Sequence, residues 1–260
     1  MRSIYLLAAF VAALPALSNA ALIETRFSGV IFGSSDSGNV FGYGGGSAAD
    51  GNRITMKFRW DTADAPPDFY GRARFPVEAD YFTTALPVWM TTRVELENGV
   101  EFSSVGYNGS GGVTQQVKIQ DNCARCSFDV IGGNVWDSYG NFIQIANAPP
   151  DYSYVQSLTA GAVIYDYTQS LISGLEIGQL IDWSASSAPG VYFAHGQFAY
   201  RFLDTATNTF LTQAFASIHI DRLDTRTIPE PASLALLAFG CLGLALSWKR
   251  RRGNSATESL

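Results

Sequence analysis

The segment Arg53–Asp61 alternates strictly between two kinds of side chain. Every second position is apolar, namely Ile54, Met56, Phe58 and Trp60. Successive side chains of a β-strand point to opposite faces of the sheet, so this pattern predicts a strand with one buried face, as antiparallel sheets contain. Phe58 and Trp60 should therefore face the core, whereas Lys57 and Arg59 should face outward.

A second alternating segment, Val88–Leu96, is followed by the turn signal Asn98-Gly99. A two-residue loop would place Leu96 opposite Glu101, which sets an apolar residue against a charge. A three-residue loop that ends at Gly99 instead places Leu96 opposite Val100. We therefore expect a hairpin with the longer loop and with Gly99 in the left-handed conformation.

Further strand candidates follow the same period of two. They are Ile23–Ser28, Val117–Ile119, Phe128–Val130, Asn141–Ile145, Gly161–Tyr167, Val191–Phe202 and Ala214–Arg222. In the first of these, Glu24 is assigned to the face opposite Ile23 and Phe27. Gly196 is predicted to form a bulge, and Leu171–Leu180 is the one segment in which a short helix is expected. Long helical periodicity is absent. Many short strands between turn residues predict an all-β domain over residues 21–226, an antiparallel, jelly-roll-like β-sandwich or a flattened barrel.

The N-terminal residues 1–20 have the features of a secretory signal peptide. Arg2 is positive, Ile4–Leu17 is almost wholly apolar, and Ser18-Asn19-Ala20 offers small residues to signal peptidase. The apolar run is too short to span a bilayer comfortably, which argues against a permanent anchor. We expect the secretion machinery to export the chain and signal peptidase to cut after Ala20.

A second apolar segment, Ala232–Trp248, contains no charged residue. At ~1.5 Å per helical residue it would reach ~25 Å, close to the ~30 Å hydrocarbon core of a membrane. Four cations follow at once: Lys249, Arg250, Arg251 and Arg252. Such a cluster stays in the cytoplasm, so the sequence predicts one transmembrane helix with residues 253–260 as a cytoplasmic tail.

The exported part is strongly acidic. Without Arg2, the four tail cations, Glu230 and Glu258, the chain keeps 12 Lys and Arg against 21 Asp and Glu, a net charge of −9. Nucleic acid is therefore not an expected partner, because binding it needs a basic face.

Neither a metal nor a cofactor is predicted. The histidines, His195 and His219, have no ligand neighbours at a suitable spacing. Loop carboxylates such as Asp61 and Asp64 do not form a glycine-centred calcium loop. The chain also has no G-x-S-x-G motif and no phosphate loop, so no catalytic residue is predicted.

Cys123 and Cys126 form a C-x-x-C pair in the exported part. An oxidising compartment favours a local disulfide between them. Free thiols, a metal site or a redox site are the alternatives, although a second C-x-x-C for zinc is missing.

The C-terminus resembles a known family signal. Thr227-Ile228-Pro229-Glu230-Pro231, the apolar segment and the basic cluster together resemble the PEP-CTERM sorting signal of exosortase substrates. The resemblance, over residues 227–252, implies processing near Pro229, Glu230 and Pro231 by a membrane-embedded exosortase. It also implies an inner-membrane intermediate with a periplasmic ectodomain, then delivery to the cell surface or extracellular matrix, with exopolysaccharide as a candidate partner.

Three function classes follow. A non-enzymatic surface or matrix protein needs nothing beyond the sorting signal. A carbohydrate-binding module needs a row of exposed Trp or Tyr side chains, for which Trp89 is a candidate. A secreted hydrolase needs two close carboxylates or a nucleophile with its base.

Overall fold

The computed structural model describes residues 21–69, 77–123, 136–186 and 192–229. Within them the chain forms eleven β-strands and no helix. The strands are β1 (Leu22–Asp36), β2 (Arg53–Asp61), β3 (Glu78–Thr83), β4 (Met90–Leu96), β5 (Glu101–Ser103), β6 (Gly112–Cys123), β7 (Trp136–Asn147), β8 (Tyr154–Asp166), β9 (Asp182–Ser184), β10 (Tyr192–Asp204) and β11 (Thr209–Ile228). The chain divides into two units, residues 1–227 and 228–260, and the sheet belongs to the first apart from Ile228.

All the strands belong to one sheet, in the order β3-β6-β7-β8-β10-β11-β1-β2-β4-β5, with β9 paired to β11. Strands β6, β7, β8, β10 and β11 form one antiparallel meander, and β1, β2, β4 and β5 form another. Strand β1 lies beside β11 and joins the two meanders. The first and last strands of the chain are thus neighbours in the middle of the sheet.

The sheet curls so that its two halves face each other. Phe27 of β1 lies 6.4 Å from Tyr139 of β7, and Phe102 of β5 lies 4.8 Å from Phe198 of β10, measured between ring centroids. The buried apolar side chains of both halves fill the space between them. The all-β, antiparallel prediction is confirmed, and the two layers are the halves of one continuous sheet.

Two local predictions are confirmed in detail. Strand β2 has the predicted bounds, with Phe58 and Trp60 buried and Arg59 exposed. In the β4-β5 hairpin, Leu96 N donates to Val100 O at 2.9 Å, and Gly99 has a φ of 87°. The loop therefore contains three residues.

Two other predictions are wrong. No bulge occurs at Gly196, because pairing with β11 continues without a shift from His195 to Phe202. Gly196 instead faces the core, where an added Cβ would come within 2.8 Å of Met56 Cε. Residues 171–180 form bends and turns instead of a helix. Leu171 and Leu175 are nevertheless buried, so this segment covers the core without regular structure.

Within the four described ranges, no helix is long and apolar enough to span a membrane. The predicted signal peptide at residues 1–20 and the predicted span Ala232–Trp248 lie outside these ranges. Both remain predictions from the sequence.

Candidate functional site

Strand β11 leads directly into the predicted processing segment. It continues to Ile228 and ends before Pro229, which has no N–H group with which to extend a ladder. Thr227 and Pro229 are exposed to solvent. Glu230 and Pro231 lie outside the described residues, as does the basic cluster Lys249–Arg252. The described part of the segment is therefore an accessible, extended backbone.

A buried carboxylate holds the end of β11. The Glu24 side chain on β1 is 1% exposed, and three arginines surround it. Arg226 of β11 donates to its Oε1 from Nη2 at 2.6 Å and from Nε at 3.0 Å. Arg59 Nε donates to Oε2 at 2.6 Å, and Arg26 Nη2 donates to Oε1 at 3.1 Å. We call Glu24, Arg26, Arg59 and Arg226 the Glu24 cluster.

The arginines also set the charge state of this carboxylate. Burial by itself raises the pKa of Glu24, but hydrogen bonds and positive charge from Arg59 and Arg226 outweigh burial and lower the pKa below its ordinary value. Glu24 is therefore ionised at neutral pH. Because the arginine side chains are 36–54% exposed, water solvates much of their charge.

On the inner face of the sheet, a second set of polar contacts joins β1 to β11. Thr25 Oγ1 lies 3.3 Å from Thr225 Oγ1 and 3.1 Å from the hydroxyl of Tyr139, all three groups being buried. Burial raises the pKa of Tyr139 to about 12, despite hydrogen bonds that lower it. The phenol is therefore neutral, and it links the start of β1 and the end of β11 to the opposite half of the sheet.

The first residue after the predicted signal-peptide cut is already part of the fold. Ala21 N donates to Thr62 Oγ1 at 2.9 Å, and Thr62 N donates to Ala21 O at 3.0 Å. Residues 24 and 25 lie beside residues 226 and 225. The start of β1 and residues 225–226 of β11 therefore lie at the same end of two adjacent strands.

The C-terminal segment matches a known sorting motif. Comparison with protein families matches residues 227–252 to the PEP-CTERM protein-sorting motif. The chain carries a PEP-CTERM protein-sorting motif. Its bounds are those expected from the Pro-Glu-Pro tripeptide, the apolar segment and the basic cluster. No curated protein and no solved structure matches the chain.

Other predicted residues have separate positions in the fold. Cys123 is buried at the last residue of β6, whereas Cys126 lies outside the described ranges, so the disulfide stays a prediction. His195 and His219 face each other across β10 and β11. Burial, followed by the charge of His219, lowers the pKa of His195. Among the described residues, no group of three His, Cys, Asp or Glu side chains is arranged to hold a metal ion.

No sequence pattern indicated the Glu24 cluster. Glu24 lies on the face opposite Ile23 and Phe27, and a charged residue on such a face is normally exposed to solvent. Arg226 is 202 positions away in the chain, and only the β1-β11 pairing brings it over the carboxylate. A charged residue flanked by Ile23 and Thr25 offers no local signal of such a partner.

Proposed function

We propose that this protein is an exported, non-enzymatic component of the cell surface or extracellular matrix, sorted by exosortase through its PEP-CTERM motif. The observation that carries the proposal is the motif match at residues 227–252. The signal peptide starts export, Ala232–Trp248 stops it in the inner membrane, and the four cations keep the tail in the cytoplasm. The ectodomain then folds in the periplasm, and processing delivers it to the surface.

The geometry of β11 suits processing of a folded domain. Because proline disfavours helix at its own position and at the one before it, we expect the Pro-Glu-Pro backbone to be accessible to a membrane enzyme. Arg226 is fixed by Glu24 and Thr225 contacts Thr25, so the strand is secured up to the motif. Cleavage beyond Thr227 therefore removes no contact of the Glu24 cluster.

Fractionation of two host strains tests the proposal. In a wild-type host, the protein should lose its C-terminal segment and leave the inner membrane. In a host that lacks its exosortase, the full-length form should accumulate in that membrane. A matched variant in which Pro229, Glu230 and Pro231 are replaced by Ala, with the span and cations intact, should accumulate in the wild-type host as well. If the full-length protein stays in the inner membrane of both hosts, residues 227–252 are a plain anchor and the sorting proposal is wrong.

A carbohydrate-binding module is the second candidate. The expected Trp row is not present, because the described tryptophans are all buried: Trp60, Trp89, Trp136 and Trp183. Tyrosine and phenylalanine side chains instead line a cleft at one rim of the curled sheet, between Phe102 and Tyr200. This cleft is the observation that favours carbohydrate binding, and exopolysaccharide is the candidate partner.

The hydrolase alternative has less support. Asp137 and Asp166 are opposite each other on β7 and β8, and both are buried. Asp166 accepts hydrogen bonds from Thr168 and Ser170, and Asp137 accepts one from Asn122 N at 2.9 Å. The carboxylates thus hold adjoining loops in place.

A further inference from the structure

The inward-facing side chains of β8, β10 and β11 change from apolar to polar towards one rim of the sheet. Deeper in the sheet these positions carry residues such as Leu158 and Ala214, which are buried. Towards the rim they carry Gln156, Tyr200 and Thr212. These three side chains line a cleft of about 460 Å³ between the two halves of the sheet, which we call the rim cleft. Its other lining residues are Val40, Glu101, Phe102, Ser103, Tyr107 and Leu158.

One wall of the rim cleft is aromatic. The Phe102 ring lies 5.6 Å from Tyr200 and 4.8 Å from Phe198, between centroids. Phe41 lies behind them, 6.1 Å from Phe102 and 5.9 Å from Phe198. Phe41 and Phe198 are fully buried, whereas Phe102 and Tyr200 are partly exposed. The wall is thus a packed cluster whose outer rings face the cleft, as an apolar ligand face requires.

The polar groups of the rim cleft have unused hydrogen-bonding capacity. Gln156 Nε2 donates to the Tyr200 hydroxyl at 2.9 Å, which leaves the Tyr200 hydrogen free to donate and Gln156 Oε1 free to accept. The Tyr107 hydroxyl makes no hydrogen bond within the described residues. Burial raises the pKa of Tyr107 to about 12, helped by nearby Tyr200, so this hydroxyl is a permanent donor at neutral pH. A ligand with hydroxyl groups would satisfy all three.

The charge at the rim cleft is already neutralised. Glu101 is the one carboxylate among the described lining residues, and it accepts from Arg93 Nε at 3.0 Å and also from Arg93 Nη2. None of the described residues that line the cleft is Lys or Arg. An anionic ligand would therefore find no free cation, and a cationic ligand would compete with Arg93.

We propose that the rim cleft binds a neutral sugar, with the apolar face of the ring against Phe102 and Tyr200. The sugar hydroxyls then accept from Tyr107 and Tyr200 and donate to Gln156. The volume lies near the lower end of the ~300–1,000 Å³ typical of ligand sites, which suits one or two sugar rings. This inference deepens the second candidate function and does not depend on sorting by exosortase.

The test uses full-length protein from a host without exosortase, purified in a detergent with no sugar headgroup. Binding of maltose, cellobiose and lactose is measured by calorimetry and saturation-transfer NMR, with glucuronate and glucosamine as charged counterparts. We expect at least one neutral disaccharide to bind, and neither charged sugar to bind as tightly. Tyr107→Phe and Tyr200→Phe each remove one hydroxyl and should weaken binding about three- to tenfold.

The matched control is Tyr165→Phe, which removes a hydroxyl from a half-buried tyrosine that is not in the rim cleft. Its affinity should equal that of the wild type. The proposal is overturned if no neutral sugar in the panel binds the wild-type protein, or if a charged sugar binds best. It is also overturned if Tyr165→Phe weakens binding as much as the two cleft variants. Each of these results leaves the sorting proposal intact, because sorting is read from fractionation.

Discussion

Replacing Glu24 by Gln should destabilise the exported domain more than any comparable loss of a surface charge. The wild-type carboxylate is almost completely buried and accepts four hydrogen bonds from three arginines. Glutamine has nearly the same shape, but it has no charge and its NH₂ group would face an arginine. The variant therefore removes the anion that pairs with Arg26, Arg59 and Arg226.

The loss of stability in Glu24→Gln depends on the arginine charges that remain without their carboxylate. Breaking a buried ion pair costs about 3–5 kcal/mol when the remaining charge is itself buried. Here the remaining arginines are 36–54% exposed and stay hydrated, so we expect a smaller loss of about 2–3 kcal/mol. For a domain of this size, each kcal/mol lowers Tm by about 2–4 °C, which gives a decrease of about 4–12 °C.

The assay is thermal unfolding at pH 7, followed by circular dichroism. Asp182→Asn is the matched control, because Asp182 also pairs with an arginine of β11, Arg222, at 2.9 Å. Both partners of that pair are more than half exposed, so its loss should lower Tm by no more than about 2 °C. Equal Tm values for Glu24→Gln and Asp182→Asn would refute the reasoning.

The pH dependence provides an independent check on Glu24. Its pKa in the folded protein is below the ordinary value of 4.5, so the carboxylate stabilises the fold fully above about pH 4.5. This contribution is lost as the pH falls through the lowered pKa. The difference in unfolding free energy between wild type and Glu24→Gln should therefore be constant from pH 5 to 7 and shrink at lower pH. A difference that grows on acidification would contradict the assignment.

Two further predictions concern a glycine of β1 and the cysteine pair. Gly29→Ala should destabilise the domain by about 2–4 kcal/mol, because the added Cβ would lie 2.1 Å from the carbonyl oxygen of His219; Gly33→Ala, where the nearest atom is 4.0 Å away, should cost much less in the same urea titration. Cys123 and Cys126 should resist thiol labelling in the exported protein until a reductant is added, and full labelling without reductant would exclude their disulfide.

Sequence patterns predicted the elements that depend on local information. The strand Arg53–Asp61 and the hairpin closed by Gly99 were both correct, because alternation fixes the faces of a strand and the turn fixes its register. The prediction at Gly196 failed because β10 carries aromatic residues on both faces. Phe193 faces outward and is 53% exposed, while Phe198 faces inward and is buried. The positions of the apolar residues therefore could not show which face of β10 packs against the core.

The sites in this fold depend on long-range pairing. The rim cleft combines Phe102, Gln156 and Tyr200 from three strands, and no two of them are near each other in the sequence. Glu24 and Arg226 meet because the first and last long strands are neighbours. Such contacts arise from the order of strands in the sheet, which period-two patterns do not determine. The PEP-CTERM motif was predictable because its features are contiguous over residues 227–252.

The intact mass of the protein recovered from the surface of a wild-type host tests sorting most directly. Because the intact mass depends on both termini, one mass spectrum shows whether each end of the chain has been cut. In the wild-type host we expect a species that begins at Ala21 and ends near the Pro-Glu-Pro tripeptide, without residues 232–260. In a host lacking exosortase we expect only the form that begins at Ala21 and ends at Leu260. A surface species that retains Ala232–Trp248 and the four cations would contradict sorting through the PEP-CTERM motif.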